Sequence, residues 1–239
     1  MPLPKINTPT YDLTLPSTGK KIKYRPFLVK EEKILIMALE TEDISQITNA
    51  IVEILNDCIL TKGVTVTKLA TFDIEYLFLN VRAKSVGETV EVNVTCPDDG
   101  QTKVEMLIDI DSIKIQKDSN HSDIIKLDDS LSIQMNYPSL DQFIESNFDT
   151  SNNSQVDESL NVIMSCIKQV YNEEEAWEAS NCTKKELRDF VESMNSKQFK
   201  EVENFFETMP KLSHKVKVMN PNTKVESEVV IEGLASFFS

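Results

Sequence analysis

The hydrophobic pattern of this chain changes period inside one stretch, residues 21–40. Ile22 and Tyr24 alternate with charged neighbours, which is typical of a strand with one buried face. Pro26 cannot donate a hydrogen bond to a sheet, and beyond it apolar residues recur at helical spacing as far as Leu39. The stretch therefore predicts a strand that passes directly into a helix, so helices and strands share one unit.

Similar patterns predict the rest of the secondary structure. Apolar residues at helical spacing predict helices at residues 41–60, 68–84, 160–171, 183–194 and 195–206. Alternation predicts hairpins at residues 89–109 and 214–230, and short strands at residues 113–115, 123–127 and 131–136. Ser139 and Gln142 form a capping box that predicts a short helix near residues 140–146. We expect an α+β fold of helical segments with small antiparallel hairpins.

A polar loop at residues 149–155, which reads DTSNNSQ, is the best internal hinge. A chain of 239 residues has room for one large domain or two small ones. We predict two lobes. Residues 1–148 would hold an extended N-terminal arm, three helices and antiparallel hairpins, and residues 149–239 would form a helical lobe that ends in a hairpin and an apolar tail.

The composition argues against several functions. Only five glycines are present, and no Gly-rich phosphate loop or dinucleotide motif occurs. The net charge of −14 opposes binding to nucleic acid, whose affinity depends on cations that neutralise phosphates. The sequence has no run of 18 apolar residues and no apolar leader, so we expect no membrane contact and a cytoplasmic protein. We expect its scattered cysteines to be reduced: Cys58, Cys96, Cys166 and Cys182.

Basic residues concentrate near the N-terminus of this acidic chain. Residues 1–30 contain a single acid, Asp12, against six bases: Lys5, Lys20, Lys21, Lys23, Arg25 and Lys30. One interpretation is that these bases pair with the chain's own acidic helices. The other is that they dock an acidic face of a partner, because complementary charge steers association.

One turn, Cys96-Pro97-Asp98-Asp99-Gly100, has the spacing of a zinc knuckle. The second thiol of such a turn is replaced by Asp99, no CxxC pair occurs elsewhere, and the other hairpin turn, at residues 220–223, has no cysteine. Because zinc needs about four ligands in a tetrahedral array, we predict an ordinary turn and expect neither a metal nor a cofactor.

Candidates for catalysis are few. His121 and His214 lie outside any nucleophile motif, so each is expected to be a polar surface residue. The acids Glu173, Glu174 and Glu175 beside Trp177 are interpreted as the solvated start of a helix with a buried indole. Nothing in the sequence selects a catalytic carboxylate pair, so the sequence predicts no enzyme activity.

Several segments resemble one known family. The N-terminal third, with LPSTGKKIKYRPF, VKEEKILIMALE and TFDIEYLFLNVRAKS, and the C-terminal IEGLASFF are similar to the T4 bacteriophage base plate protein family, the hub subunits of T4-like phages. This resemblance implies a non-enzymatic structural or assembly component of a contractile tail baseplate hub that acts through protein–protein contacts. The partners would be other baseplate and tail hub proteins, in a homo- or hetero-oligomer. The implied location is the host cytoplasm during assembly, and then the virion tail.

Two regions are the predicted contact regions: the basic N-terminal arm, within residues 1–30, and the apolar tail formed by Leu234, Phe237 and Phe238. A strand edge or an acidic face of a partner would bind at the arm, by β-augmentation, and exposed rings at a chain end indicate burial against another surface. The candidate partner-binding residues are Lys21, Lys23, Tyr24, Arg25, Phe27, Phe237 and Phe238. Two alternatives remain open: an accessory or hydrolase-like enzyme domain with a site of dispersed carboxylates, and a nucleic-acid binder that uses the basic arm.

Overall fold

A computed structural model of the protein describes residues 6–41, 43–142 and 155–233. The fold is α+β, as the sequence predicts, and the chain forms two compact units. Unit 1 comprises Met1–Val66, Phe72–Gln116 and Lys211–Ser239, and unit 2 comprises Thr67–Thr71 and Lys117–Pro210.

Unit 1 begins with a hairpin of β1, Tyr11–Thr14, and β2, Lys21–Tyr24. Three helices follow: α1, Val29–Leu39; α2, Ile44–Cys58; and α3, Thr71–Val86. The side chain of Asp43 starts α2, because its Oδ1 accepts the backbone N–H groups of Ser45 and Gln46. Helix α3 is buried around most of its circumference and supplies Leu77 and Phe78 to the core, where neither is exposed to solvent.

Two antiparallel sheets complete unit 1. Strands β3, Thr89–Thr95, and β4, Lys103–Asp109, form the first predicted hairpin. Strand β5, Lys114–Gln116, pairs with β10, Lys211–Met219, which also pairs with β11, Glu226–Glu232. The middle strand of this sheet therefore comes from a part of the chain far from β5, with unit 2 inserted between them.

Unit 2 is built on a four-stranded antiparallel sheet in the order β6-β7-β8-β9. Its strands are Ile124–Lys126, Ser132–Met135, Ile167–Tyr171 and Ala176–Glu178. Its helices are α4, Gln155–Cys166; α5, Lys184–Glu192; and α6, Ser196–Thr208. Thr183 with Glu186, and Asn195 with Gln198, form the two capping boxes that start α5 and α6. Buried side chains from the sheet and the helices, including Ile133, Met164 and Phe205, form one core.

Two predicted elements are wrong. The helix predicted at 160–171 ends at Cys166, and Ile167–Tyr171 is strand β8. An apolar run with β-branched and aromatic residues fits either state, and the pairing of this segment with β7 on one side and β9 on the other selects the strand. The acids before Trp177 do not start a helix either. Ala176–Glu178 is the edge strand β9, and the indole of Trp177 is 42% exposed.

The units divide the chain differently from the predicted lobes. The predicted boundary between residues 148 and 149 lies outside the described residues. Residues on both sides of it belong to unit 2, and the C-terminal hairpin belongs to unit 1, because β10 pairs with β5.

The predicted capping box at Ser139 is present, since the backbone N–H of Ser139 donates to Gln142 Oε1 at 2.8 Å.

Candidate protein interaction surface

Helix α1 buries one face and exposes another that is also apolar. Glu31, Leu35 and Ala38 are buried, and the helix packs against α2. Residues 29, 33, 36 and 37 share the opposite side, because helical residues three, four and seven positions apart lie on one face. Val29 is 80% exposed, Met37 57% and Ile36 50%, and Leu28, which precedes the helix, is 41% exposed. We call Leu28, Val29, Ile36 and Met37, with the exposed Lys33 among them, the α1 apolar face.

An exposed group of large apolar side chains on one helix face marks a contact surface. A helix at the surface of a soluble domain ordinarily carries polar residues on its outer side. Helix α1 instead presents three branched or flexible apolar residues to solvent at positions 29, 36 and 37. Burying such a face in a partner stabilises a complex by removing apolar area from water.

Glu31 fixes the start of α1. Its carboxylate is buried and accepts hydrogen bonds from the Leu28 backbone N–H at 2.7 Å, from Arg25 Nη2 at 2.8 Å and from Lys30 Nζ at 2.9 Å. These donors stabilise the charged form, so the pKa of Glu31 falls from 4.5 to about 2 although burial alone would raise it. The angle at which the chain leaves β2 and enters α1 is therefore set by an internal ion pair.

Three predicted partner-binding residues serve this internal structure. Tyr24 is 2% exposed and Phe27 6%, so both rings lie in the core of unit 1. The backbone N–H of Phe27 donates to Ser85 Oγ at 2.9 Å, and the guanidinium of Arg25 is engaged by Glu31. Side chains held in this way stabilise unit 1, and a role for them in partner binding stays a prediction.

Strand β2 has both edges occupied. One edge pairs with β1. On the other, the Lys23 backbone N–H donates to Thr61 Oγ1 at 2.7 Å, and its carbonyl accepts from Leu60 N–H at 2.8 Å. A partner strand therefore cannot add at β2. Among the described residues no strand pairs with the outer edge of β1.

Two bases of the N-terminal region pair with the chain's own acidic helices, as the first interpretation expects. Arg25 pairs with Glu31, and Lys30 pairs with Glu31 and, at 3.2 Å, with Asp57. Lys20, Lys21 and Lys23 are exposed, and no carboxylate of the described residues lies within 4.0 Å of their ammonium groups. A role for Lys21 and Lys23 in partner binding stays a prediction. Phe237 and Phe238 lie outside the described residues, so their role stays a prediction as well.

No cluster of metal ligands emerges in the described ranges. Within residues 6–41, 43–142 and 155–233, no group of three or more His, Cys, Asp or Glu side chains is placed to hold a metal ion. Unit 2 has an open groove of about 500 Å³, whose lining includes Lys168, Glu178 and Ser180. Glu178 is the only carboxylate that lines it, whereas general acid–base hydrolysis of glycosides uses a pair.

His121 is not the exposed residue that its context predicts. It is half-buried, with Nδ1 at 3.0 Å from Thr208 Oγ1 and Nε2 at 3.1 Å from Tyr137 Oη. Its ring stacks on Tyr137 and lies against Phe205. Burial, with a contribution from Lys117, lowers the pKa of His121. These contacts give it a structural role in the core of unit 2.

The sequence of the whole chain decides the family. A model of the family described as T4 bacteriophage base plate protein matches residues 8–239. The chain belongs to this family. No curated protein and no solved structure matches it. The match includes the middle of the chain, residues 109–159, which lies between the segments that resemble the family.

Membership makes this base plate protein a component of a phage tail, which interacts with other tail proteins. Within the residues that the structure describes, none of the helices has the length and apolarity to cross a bilayer. The α1 apolar face and the exposed lysines of β2 belong to the segment that carries the family resemblance in the N-terminal third of the chain.

Sequence reasoning missed the α1 apolar face although its signal is present. Ile34, Leu35, Ile36, Met37, Ala38 and Leu39 form a continuous apolar run, which a helix cannot place on one side. Helical spacing alone does not separate the apolar residues that face the core from those on the outer side of the helix. A run that covers the whole helix circumference indicates a second apolar contact in addition to the core.

Proposed function

We propose that this base plate protein is a non-enzymatic structural or assembly component of the hub of a contractile phage tail, and that it acts through protein–protein contacts. It would assemble with other hub proteins in the host cytoplasm before it enters the tail baseplate. The observation that carries this proposal is the α1 apolar face on a chain of the base plate family.

The position of α1 supports a rigid docking element. The Glu31 carboxylate holds the start of the helix, and Leu35 and Ala38 are buried beneath it. A partner that binds residues 29, 36 and 37 would therefore meet a preformed surface and would not have to order it, which lowers the entropic cost of association. Lys21 and Lys23 extend outward from β2 and would favour a partner with acidic residues beside its apolar contact.

The double variant Val29→Asp/Ile36→Asp tests the proposal. Both side chains are exposed, so the isolated protein should keep its thermal stability. Placing two charges in an apolar contact should weaken the complex with other tail proteins of the same phage by at least about tenfold. Co-expression followed by size-exclusion chromatography with light scattering measures the complex and its stoichiometry.

Leu107→Asp is the matched control. Leu107 is 69% exposed on β4 and apolar, but it lies outside α1. The control should bind as the wild type does. If the double variant keeps full binding while remaining folded, the α1 apolar face is not the docking surface, and turnover of a small molecule by the purified protein would contradict the non-enzymatic role.

A further inference from the structure

The tips of two hairpins in unit 1 share three backbone features. Residues 96–102 connect β3 to β4, and residues 220–225 connect β10 to β11. Each tip is closed by a hydrogen bond over four residues: Gly100 N–H donates to the Cys96 carbonyl at 2.9 Å, and Lys224 N–H donates to the Asn220 carbonyl at 2.9 Å. The fifth residue of each tip lies in the left-handed region, with φ of 66° at Gly100 and 63° at Lys224. Each also has proline at its second position.

The two tips contact each other through polar side chains. Asn220 is 1% exposed, and its Nδ2 lies 3.1 and 3.0 Å from the two carboxylate oxygens of Asp98 and 2.9 Å from Asp99 Oδ2. The Thr223 hydroxyl donates to Asp98 as well, and Asn222 Nδ2 donates to Thr102 Oγ1 at 3.0 Å. One buried amide therefore joins residues that lie more than 120 positions apart in the chain.

The same side chains also shape their own turns. Asn220 Oδ1 accepts the backbone N–H groups of Asn222 at 2.9 Å and Thr223 at 3.3 Å. Asp99 Oδ1 accepts those of Gln101 and Thr102, each at 3.0 Å. Hydrogen bonds from Thr223 and Asn220 lower the pKa of Asp98, and those from Thr102, Gln101 and Asn220 lower the pKa of Asp99, so both groups are carboxylates near neutral pH.

Two hairpin tips that each present two side chains, separated by two residues, are the ligand arrangement of a structural zinc ribbon. The corresponding positions here are 96 and 99 on one tip, and 220 and 223 on the other. Cys96 is the single thiol among them. It is fully buried, and burial together with the nearby carboxylates of Asp98 and Asp99 raises its thiol pKa. The other three positions hold Asp99, Asn220 and Thr223, of which the last two donate to carboxylates.

We propose that the paired tips are a metal-free counterpart of a zinc-ribbon site, in which hydrogen bonds from Asn220 and Thr223 to Asp98 and Asp99 hold the hairpins together as a zinc ion would. We call this group of side chains the tip clasp. Among the described residues β3 and β4 pair only with each other, so the clasp connects their hairpin to the three-stranded sheet that contains β10.

Asn220→Ala tests the clasp in the full-length protein. The change removes the shared donor and leaves two carboxylates without it, so the Tm should fall by about 5 °C. Amide hydrogen exchange should accelerate at both tips, residues 96–102 and 220–225. Asn93→Ala, on the exposed side of β3, is the control and should leave the Tm and the exchange rates unchanged. Equal behaviour of the two variants would overturn the proposal.

The triple variant Asp99→Cys/Asn220→Cys/Thr223→Cys tests the zinc-ribbon geometry. With Cys96 it places four thiols at the ligand positions, and each loses its proton on binding the metal. It should bind one zinc ion per chain, give the visible absorption of tetrahedral cobalt thiolate with Co²⁺, and gain thermal stability when zinc is added. Adding Cys96→Ser should weaken zinc binding by at least about tenfold.

Two results would overturn the proposal in this second test. One is a triple variant that binds no zinc, whether it is folded or stays unfolded in the presence of the metal. The other is a wild-type protein whose Tm rises on addition of zinc or calcium, provided that Asn220→Ala abolishes the rise. That result would mean that a cation, rather than the Asn220 amide, holds the carboxylates of the two tips. Neither result depends on the docking role of α1.

Discussion

Glu31 shows how one buried carboxylate determines the geometry of a candidate docking element. Its oxygens accept from the Leu28 backbone, from Arg25 and from Lys30. Removing one member of a buried ion pair leaves the remaining charge without compensation, so Glu31→Ala should lower the free energy of unfolding by about 3 kcal/mol. Glu32→Ala, one position along α1, should change it by less than about 0.5 kcal/mol. Urea unfolding at pH 7 measures both, and equal effects would contradict the role of Glu31.

The lowered pKa of Glu31 also makes the stability of the fold depend on pH in the acid range. The pKa of Glu31 is about 2 in the folded protein and 4.5 ordinarily. A group with a lowered pKa stabilises the fold fully above its ordinary value, and this contribution is lost as the pH falls from 4.5 through 2. Glu31→Gln should therefore flatten the decline of stability between pH 5 and pH 2. Thermal unfolding over this range, compared with Glu32→Gln, measures the difference.

His121 predicts a second dependence on pH, in unit 2. Burial lowers the pKa of the imidazole from 6.5, with Lys117 acting in the same direction and Asp118 and Asp123 opposing it. The folded state favours the neutral ring, so stability is complete above pH 6.5 and declines as the pH falls below that value. The Tm of wild type should fall more between pH 7.5 and pH 5 than that of His121→Gln. His214→Gln is the control and should behave as wild type.

At the residue scale, the sequence shows which positions are apolar, but it does not show which of these are exposed in the fold. Tyr24 and Phe27 lie where alternation and helical spacing place core residues, yet aromatic rings next to lysines also fit a contact surface. The structure buries both rings in the core of unit 1. The partner of Asn220 was not predictable, since no periodicity links it to Asp98 across 122 positions.

At the scale of elements, the hairpin at the N-terminus is part of the core and not a free arm. Leu15 is 1% exposed, and Ser17 donates its N–H at 3.1 Å and its hydroxyl to the buried Asp73. Deleting residues 1–20 removes β1, Leu15 and both donors, so we expect a loss of several degrees in Tm. Deleting residues 1–6 should have little effect. Differential scanning calorimetry compares the two deletions. An unchanged Tm in the longer deletion would contradict the core role of β1 and support its role as a docking arm.

Elements whose signal is local were predicted, and elements decided by distant pairing were not. The β3–β4 hairpin and the helices α5 and α6, with their capping boxes, depend on residues a few positions apart. The change from α4 to β8 at Ile167 depends on strands β7 and β9, which lie on either side of β8 in the sheet. Strand β9 carries three acids before it and an exposed tryptophan, a pattern that fits a helix start equally well.

At the scale of the molecule, most of unit 2, residues 117–210, is an insertion between two paired strands of unit 1. Gln116 ends β5 and Lys211 begins β10, and the two are direct partners in the sheet. Antiparallel partners lie about 5 Å apart, so a short linker spans them. Replacing residues 117–210 with a Gly-Ser linker should leave unit 1 with a cooperative thermal transition. Residues 1–148 alone lack β10 and β11 and should not unfold cooperatively. The opposite result would support the division at residue 148.

The position of β10 also constrains how the protein is made. Residues 1–116 leave the ribosome without the middle strand of their own sheet, and at about 5–20 residues per second they wait several seconds for it. Unit 2 can complete its sheet in that interval. Unit 1 closes only when residues 211–232 arrive, so any chain cut short before them exposes the unpaired edge of β5.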